Sequence, residues 1–388
     1  MNIEKLLNKN VAEMKPSGIR RFFDIAAQMP DSISLGVGEP DFVTPWHIRE
    51  AGIYSLEKGH TYYTSNSGLE ELRFEITQYL KRRFDLDYDY KKETLVTVGG
   101  SEAIDLCTRA FISHGDEVLI PEPCFVCYAP CVVLAGGTPV PIVTKEEDEF
   151  KLTAEALKKA ITPKTKLLIL PFPNNPTGAV MDRDDLEAIA AVLRDTDIIV
   201  LSDEIYAELT YGQKHVSIAS IEGMRERTML VSGFSKAFAM TGWRLGYVCG
   251  DSIIIKAVTK IHQYGIMCAP TTSQYAAIDA MKNSDNDVAY MVSEYDMRRR
   301  MLVEELNRMG LHCFEPKGAF YAFPSIQATG MTSEQFCEEL LKDQKVAVVP
   351  GNAFGESGEG FVRISYAYSV DAIQKALEKM EKFVRKHI

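Results

Sequence analysis

The chain has 388 residues, 46% hydrophobic and 25% charged, the proportions of a folded globular protein long enough to divide into two domains. Its formal net charge of −11, with Lys and Arg interspersed among acids, offers no basic stripe to a nucleic-acid backbone. No apolar run approaches the roughly 20 residues that cross a bilayer, and the start Met1-Asn2-Ile3-Glu4-Lys5 leads into no export signal, so neither nucleic acid nor membrane is expected as a partner and the expected location is the cytoplasm.

The first 44 residues are punctuated by Pro16, Gly18, Gly36, Gly38 and Pro40 and have no core of their own. Short apolar runs then recur at 94–98, 117–120, 166–170, 197–201 and 228–231. Continuous apolarity predicts strands buried on both faces. Amphipathic stretches between them, such as 101–113 and 182–194, predict helices, and the alternation reads as an α/β fold, a mostly parallel sheet wrapped by helices. From about residue 285 the texture changes to long charged helical patterns at 290–309 and 333–342, with strand-like pieces at 319–323 and 361–365. The expected organisation is a large domain over 45–284 and a smaller α+β domain made of 1–44 and 285–388.

Eight cysteines include Cys124, Cys127 and Cys131, whose spacing imitates a ligand run with Cys107 as a fourth member. No second Cys pair or His cluster completes such a site, so packed thiols and no metal are expected.

In open parallel sheets ligands gather beyond the carboxyl ends of the strands, so the polar residues that follow the apolar runs carry the functional signal. After Val98 come Gly99-Gly100-Ser101-Glu102-Ala103 at a helix start, where free amides and the positive helix end suit a phosphate; the same residues also make an ordinary cap. After Leu170 comes Pro171-Phe172-Pro173-Asn174-Asn175-Pro176-Thr177-Gly178, and after Leu201 comes Ser202-Asp203-Glu204-Ile205-Tyr206. The run at 228–231 leads into Ser232-Gly233-Phe234-Ser235-Lys236, with Arg244 eight residues beyond the lysine. Each has a plain structural reading as turn, cap or solvated charge, but their recurrence at the strand ends of one sheet lets a single pocket collect them.

These motifs, in this order and with Phe361-Val362-Arg363-Ile364-Ser365 after them, resemble the class I/II aminotransferase family of fold-type I pyridoxal-phosphate enzymes over nearly the whole chain. The resemblance implies pyridoxal 5'-phosphate as cofactor, with Lys236 as its covalent (aldimine) anchor and proton shuttle, Asp203 on the pyridine nitrogen, and Tyr206 and Asn175 on the phenolic oxygen. It implies Phe125 stacked on the ring, and the phosphate held by the amides of Gly100, Ser101 and Glu102 and by Ser235 and Arg244, with Tyr63 reaching in from the second subunit of a homodimer. Arg363 would clamp the substrate α-carboxylate opposite Gly38, with Asn175 beside it. One departure stands out: many relatives have serine where this chain has Gly233, which leaves Ser235, or alternatively Ser232, to face the phosphate.

The activity implied is transfer of an amino group from an amino acid to a 2-oxo acid, with a carbon-sulfur lyase or cyclase on the same fold as the alternative and a non-catalytic regulator as a remoter one. Arg20 and Arg21 are candidates for a distal substrate carboxylate. The sequence is most similar to branches acting on aspartate, N-acetyl-diaminopimelate or aromatic amino acids and does not choose among them.

Overall fold

The computed structural model of the chain describes residues 1, 3–14, 18, 29 and 31–388. After a short strand β1 (Ile33–Ser34), the apolar runs of the first two-thirds form β2 (Thr94–Thr97), β3 (Glu117–Glu122), β4 (Thr138–Val143), β5 (Thr165–Leu170), β6 (Ile199–Asp203), β7 (Thr228–Gly233) and β8 (Gly246–Cys249). Among the described residues these last seven make one sheet in the order β2-β8-β7-β6-β5-β3-β4, in which β8 alone runs against the others. The expected α/β class with a mostly parallel sheet is therefore present.

Burial follows from the pattern. Along β5, Leu167 and Ile169 enter the core on one face, with Leu95, Val118 and Val248, while Leu168 and Leu170 enter the core on the other, with Leu186, Ile189 and Val200. Helices cover both faces, among them Gly99–Phe111 and Arg183–Leu193, the latter started by an Asp182/Asp185 capping box. Two strands of this sheet were not among those expected. β4 is an edge strand with Pro139 and Pro141 and mostly exposed or half-buried side chains, a composition that an edge tolerates and that hides the strand in the sequence. β8, only four residues long, follows directly on the stretch read as a motif around Lys236 and Arg244.

The C-terminal part begins with the helix Asp285–Arg308, whose start lies upstream of the expected 290. It continues through β9 (Tyr321–Ala322), the helix Ser333–Gln344, β10 (Val346–Ala347), β11 (Val349–Pro350), β12 (Val362–Ser365) and the helix Val370–Val384. β11, β12 and β9 form an antiparallel sheet, and β10 pairs in parallel with β1, which ties residues 33–34 to this part. Leu35 enters the same core as Tyr295, Leu302, Phe336, Ile364 and Phe383. Phe323, Val349, Phe354 and Phe361 instead join the core that contains Leu168 and Val200, so apolar packing is continuous from the main sheet to β12. That continuity carries Arg363, on β12, to the carboxyl edge of the main sheet. Among the described residues no helix is long and apolar enough to cross a membrane.

Candidate active site

A cavity of about 360 Å³ lies at that edge. Its wall takes Gly100 and Ser101 from the turn after β2, Phe125 and Tyr128 from the segment after β3, and Asn175 from the turn after β5. Asp203 and Tyr206 come from the end of β6, Ser235, Lys236 and Arg244 from the segment after β7, and Gly38, Tyr321 and Arg363 from the remaining parts of the chain.

The turn after β2 is shaped for close approach. Gly99 has φ +79°, and a Cβ there would stand 2.8 Å from Arg244 Nη2. A Cβ on Gly246 would stand 2.6 Å from the Gly99 carbonyl carbon, so glycine at both places lets β8 and Arg244 close on the turn. The first amides of the helix Gly99–Phe111 and the Arg244 guanidinium thus border one end of the cavity, a donor set suited to an anion.

At the middle, Asp203 is 6% exposed and accepts from the Tyr128 hydroxyl at 2.8 Å and from the Ile205 amide at 3.1 Å. Burial lifts its carboxyl to about 6, against the pull of those two donors. Lys236 Nζ donates to Gly38 O at 2.6 Å and lies 5.7 and 5.5 Å from the ring centres of Tyr206 and Phe320. Burial first, then the Arg363 and Arg244 cations, push its amine down to about 8, opposed by Glu39 and Asp203. A fraction of this amine is neutral near pH 7, and only a neutral amine can attack a carbonyl or take a proton. The Tyr206 and Tyr321 hydroxyls share a hydrogen bond of 2.9 Å, and burial raises the Tyr206 phenol well above its ordinary value.

At the far end Arg363 is 2% exposed, donates to Asn175 Oδ1 at 2.9 Å and to Gly36 O at 2.5 Å, and lies over the rings of Tyr321 and Phe354. Its Nε has no partner, and no carboxylate pairs with it among the described residues. A buried guanidinium with neutral partners and one idle donor fits an incoming carboxylate. A Cβ on Gly38 would overlap the Tyr321 hydroxyl, so glycine is what lets the 36–39 segment lie over the cavity.

Of the residues singled out in the sequence, Gly38, Gly100, Ser101, Phe125, Asn175, Asp203, Tyr206, Ser235, Lys236, Arg244 and Arg363 line this cavity. Glu102 is not on the wall; its carboxylate turns back to the Val98 amide and to His262, while the expectation concerns its backbone amide in the first turn of the helix Gly99–Phe111. Tyr63 is 80% exposed and stands outside it. Between the two serines, Ser235 lines the wall, while Ser232 gives its hydroxyl to Glu204 O at 3.2 Å. Arg20 and Arg21 lie outside the described residues. The eight cysteines are free thiols, with Cys107 and Cys124 buried. Tyr128, Tyr321, Glu39 and Thr241 also line the cavity and were not singled out. Tyr128 had a signal, since it follows Phe125 at helical spacing; Tyr321 sits in an apolar run that reads as plain core.

The family model described as aminotransferase class I and II matches residues 30–380. An aspartate aminotransferase of Pyrococcus abyssi is 51% identical over 375 residues, 96% of each chain. An aromatic-amino-acid aminotransferase of Thermococcus litoralis is 46% identical over 382 residues, 98% of each. The crystal structure of an aromatic aminotransferase from Pyrococcus horikoshii superposes with a TM-score of 0.90 at 49% identity, covering 94% of this chain and 99% of that one.

Proposed function

Because the chain belongs to the class I and II aminotransferase family, and is an aminotransferase, we propose that its cavity holds pyridoxal 5'-phosphate and an amino acid in a defined order from the Arg244 end to the Arg363 end. The carrying observation is the Lys236 amine on the cavity wall, beside the buried Asp203 and Arg363 and the more exposed Arg244, with burial and the two cations pushing it down to about 8. When bound, pyridoxal phosphate supplies an aldehyde that condenses with amines and a pyridinium ring that draws electrons from the amino acid's α-carbon.

The chain's own groups divide the remaining work. The amides of Gly100, Ser101 and Glu102, with Ser235 and Arg244, bind the phosphate, and Phe125 packs on the ring. Asp203 keeps a proton on the ring nitrogen, for which its carboxylate must be ionised, and Tyr128 favours that state. Tyr206 donates toward the phenolic oxygen, as does Asn175 through Nδ2, its Oδ1 being engaged by Arg363. Arg363 and the Gly38 backbone orient the α-carboxylate. Lys236 anchors the cofactor and, once released, takes the α-proton on Nζ and returns it elsewhere on the substrate-derived frame.

The exposed Tyr63, flanked by exposed Tyr62 and accompanied by exposed Trp46, Tyr54 and Tyr264, supports a homodimer in which each copy lends its tyrosine to the other's phosphate end. The same reading takes 45–284 as the cofactor-binding unit, with 1–44 and 285–388 as the smaller unit, and places the enzyme in the cytoplasm. The test is a panel of amino donors and oxo-acid acceptors with the cofactor-loaded protein. Transfer of nitrogen from donor to acceptor in equal amounts is expected; a panel yielding only pyruvate with ammonia, or ring-closed products, would overturn the reading in favour of a lyase or cyclase.

A further inference from the structure

Glu102 occupies an awkward place. It belongs to the first turn of the helix Gly99–Phe111, beside the amides that face the cavity. A carboxylate free to move there would compete with an anion for those amides and repel it. Two contacts prevent this. Its Oε2 accepts from the Val98 amide at 2.5 Å, which also ties the turn Val98-Gly99 to the helix. Its Oε1 lies 2.9 Å from Nδ1 of His262, on the helix Ser252–Gly265.

The His262 side chain is fully buried. Facing a carboxylate, its Nδ1 carries the proton and donates, which in the neutral ring leaves Nε2 as a bare acceptor. Nε2 has no partner among the described residues. A leucine or methionine would fill this interior position without an unmatched polar atom. The histidine is therefore costly to the core, and what it provides in return is a single hydrogen bond, to the carboxylate that closes the turn. Other contacts also hold that turn: Thr97 Oγ1 donates to Gly99 O at 3.0 Å, and Gly246 and Arg244 approach Gly99 closely.

We propose that His262 is a positioning residue for the phosphate end of the cofactor: by holding Glu102 away from the cavity and against Val98, it keeps the amides of the 99–102 turn open to a dianion. The proposal rests on the pyridoxal-phosphate reading above, and its test separates the two. Cofactor-free wild type, His262→Leu and His262→Gln are titrated with pyridoxal phosphate and, in parallel, with pyridoxal, which has the ring and aldehyde but no phosphate. Binding is followed by visible absorbance and tryptophan fluorescence, and folding by circular dichroism.

His262→Leu is expected to weaken pyridoxal phosphate binding about ten-fold, the worth of one hydrogen bond to a charged group, while pyridoxal binding changes by less than about two-fold. His262→Gln, whose amide can donate to Glu102, is expected to recover most of the loss. Equal losses for both ligands, or no loss for either, would overturn the proposal. Wild type that binds no pyridoxal phosphate would instead sink the parent reading. If His262→Leu does not fold, His262→Asn, with an amide too short to reach as well as glutamine, takes its place in the same comparison, and the phosphate-selective loss remains the deciding result.

Discussion

At the scale of single residues, the two titratable groups to which the proposed function gives the chemistry, Asp203 and Lys236, both carry their charge at a cost. Asp203 is lifted to about 6 by burial, with the Tyr128 hydroxyl among the groups resisting the rise. On the proposed function, turnover needs the ionised carboxylate, so the rate is expected to fall as pH drops through its titration. Removing the hydroxyl lets the carboxyl rise further. Tyr128→Phe is thus expected to move the acid limb of kcat/KM upward by roughly one pH unit, the equivalent of one hydrogen bond; an unmoved limb would show that Tyr128 does not support the charge. Lys236 is displaced the other way, from 10.5 to about 8. The unfolded chain then binds more protons between these values, so this residue makes stability rise with pH from about 8 to 10.5 and weigh against folding below that window. Lys236→Met is expected to abolish turnover yet raise the melting temperature of the cofactor-free protein at pH 7, by at most about 3 kcal/mol of stability. The gap between variant and wild type should close as pH rises through that window. A variant no more stable than wild type at pH 7 would show that the buried amine carries no such cost.

Strands and helices decide how much of this could be read from the sequence. Lys236, Asp203 and Asn175 were legible because each lies in the segment that follows a continuous apolar run, and a run buried on both faces points its carboxyl end at the ligand edge of a parallel sheet. Tyr321 and His262 were not. One sits in an apolar run, the other on an amphipathic helix, and only the packing of separate elements turns them toward Tyr206 and Glu102. Edge strand β4 was hidden by its prolines, and the Tyr63 side chain, 80% exposed, stands outside the cavity of a single copy of the chain. A further link between elements is His47, on the helix Trp46–Glu57, whose ring nitrogens meet Asp279 of the helix Thr271–Asn283 and Asp287 of the helix Asp285–Arg308. Burial opposes its charge, but the hydrogen bonds and charges of the two carboxylates outweigh burial and raise its pKa above the ordinary 6.5. The stabilisation is complete below that value and is lost as pH rises through the raised one. His47→Ala is expected to lower the melting temperature by about 2 °C at pH 6, the site being partly exposed, and by less at pH 9; a pH-independent difference would mean the ring acts by packing alone.

The whole molecule builds its site from parts far apart in the chain, and the segment from Gly36 to Thr44 is the seam. Arg363 on β12 holds Gly36 O, Lys236 after β7 holds Gly38 O, the Thr241 hydroxyl meets Glu39, and Thr44 donates to Ala239 O at 2.6 Å. The anchor on the remaining side is Arg298 of the helix Asp285–Arg308. Its Nη1 donates to both oxygens of Asp41 at 2.8 and 2.9 Å, and its guanidinium lies over Phe42 and Tyr295. Phe42 in turn meets Tyr290 and Tyr295 edge to face. Arg298 is 5% exposed, so its charge depends on Asp41, with Glu294 more distant at 3.5 Å. The end of the cavity proposed to take the phosphate is made by the turn after β2 and by Arg244, which this anchor does not touch, whereas Gly38 and the Arg363 contact lie a few residues from it. Loosening the anchor should therefore act on the amino acid and spare the cofactor. Asp41→Asn keeps an acceptor but removes the charge; it is expected to raise KM for amino donors about ten-fold while changing the pyridoxal phosphate dissociation constant by less than about two-fold. The measurement is a KM and kcat series on the loaded enzyme beside a cofactor titration of the free one. If cofactor affinity falls together with KM, the seam supports the fold as a whole; if neither moves, Arg298 holds the segment without Asp41 and the guanidinium's contacts with Phe42 and Tyr295 suffice.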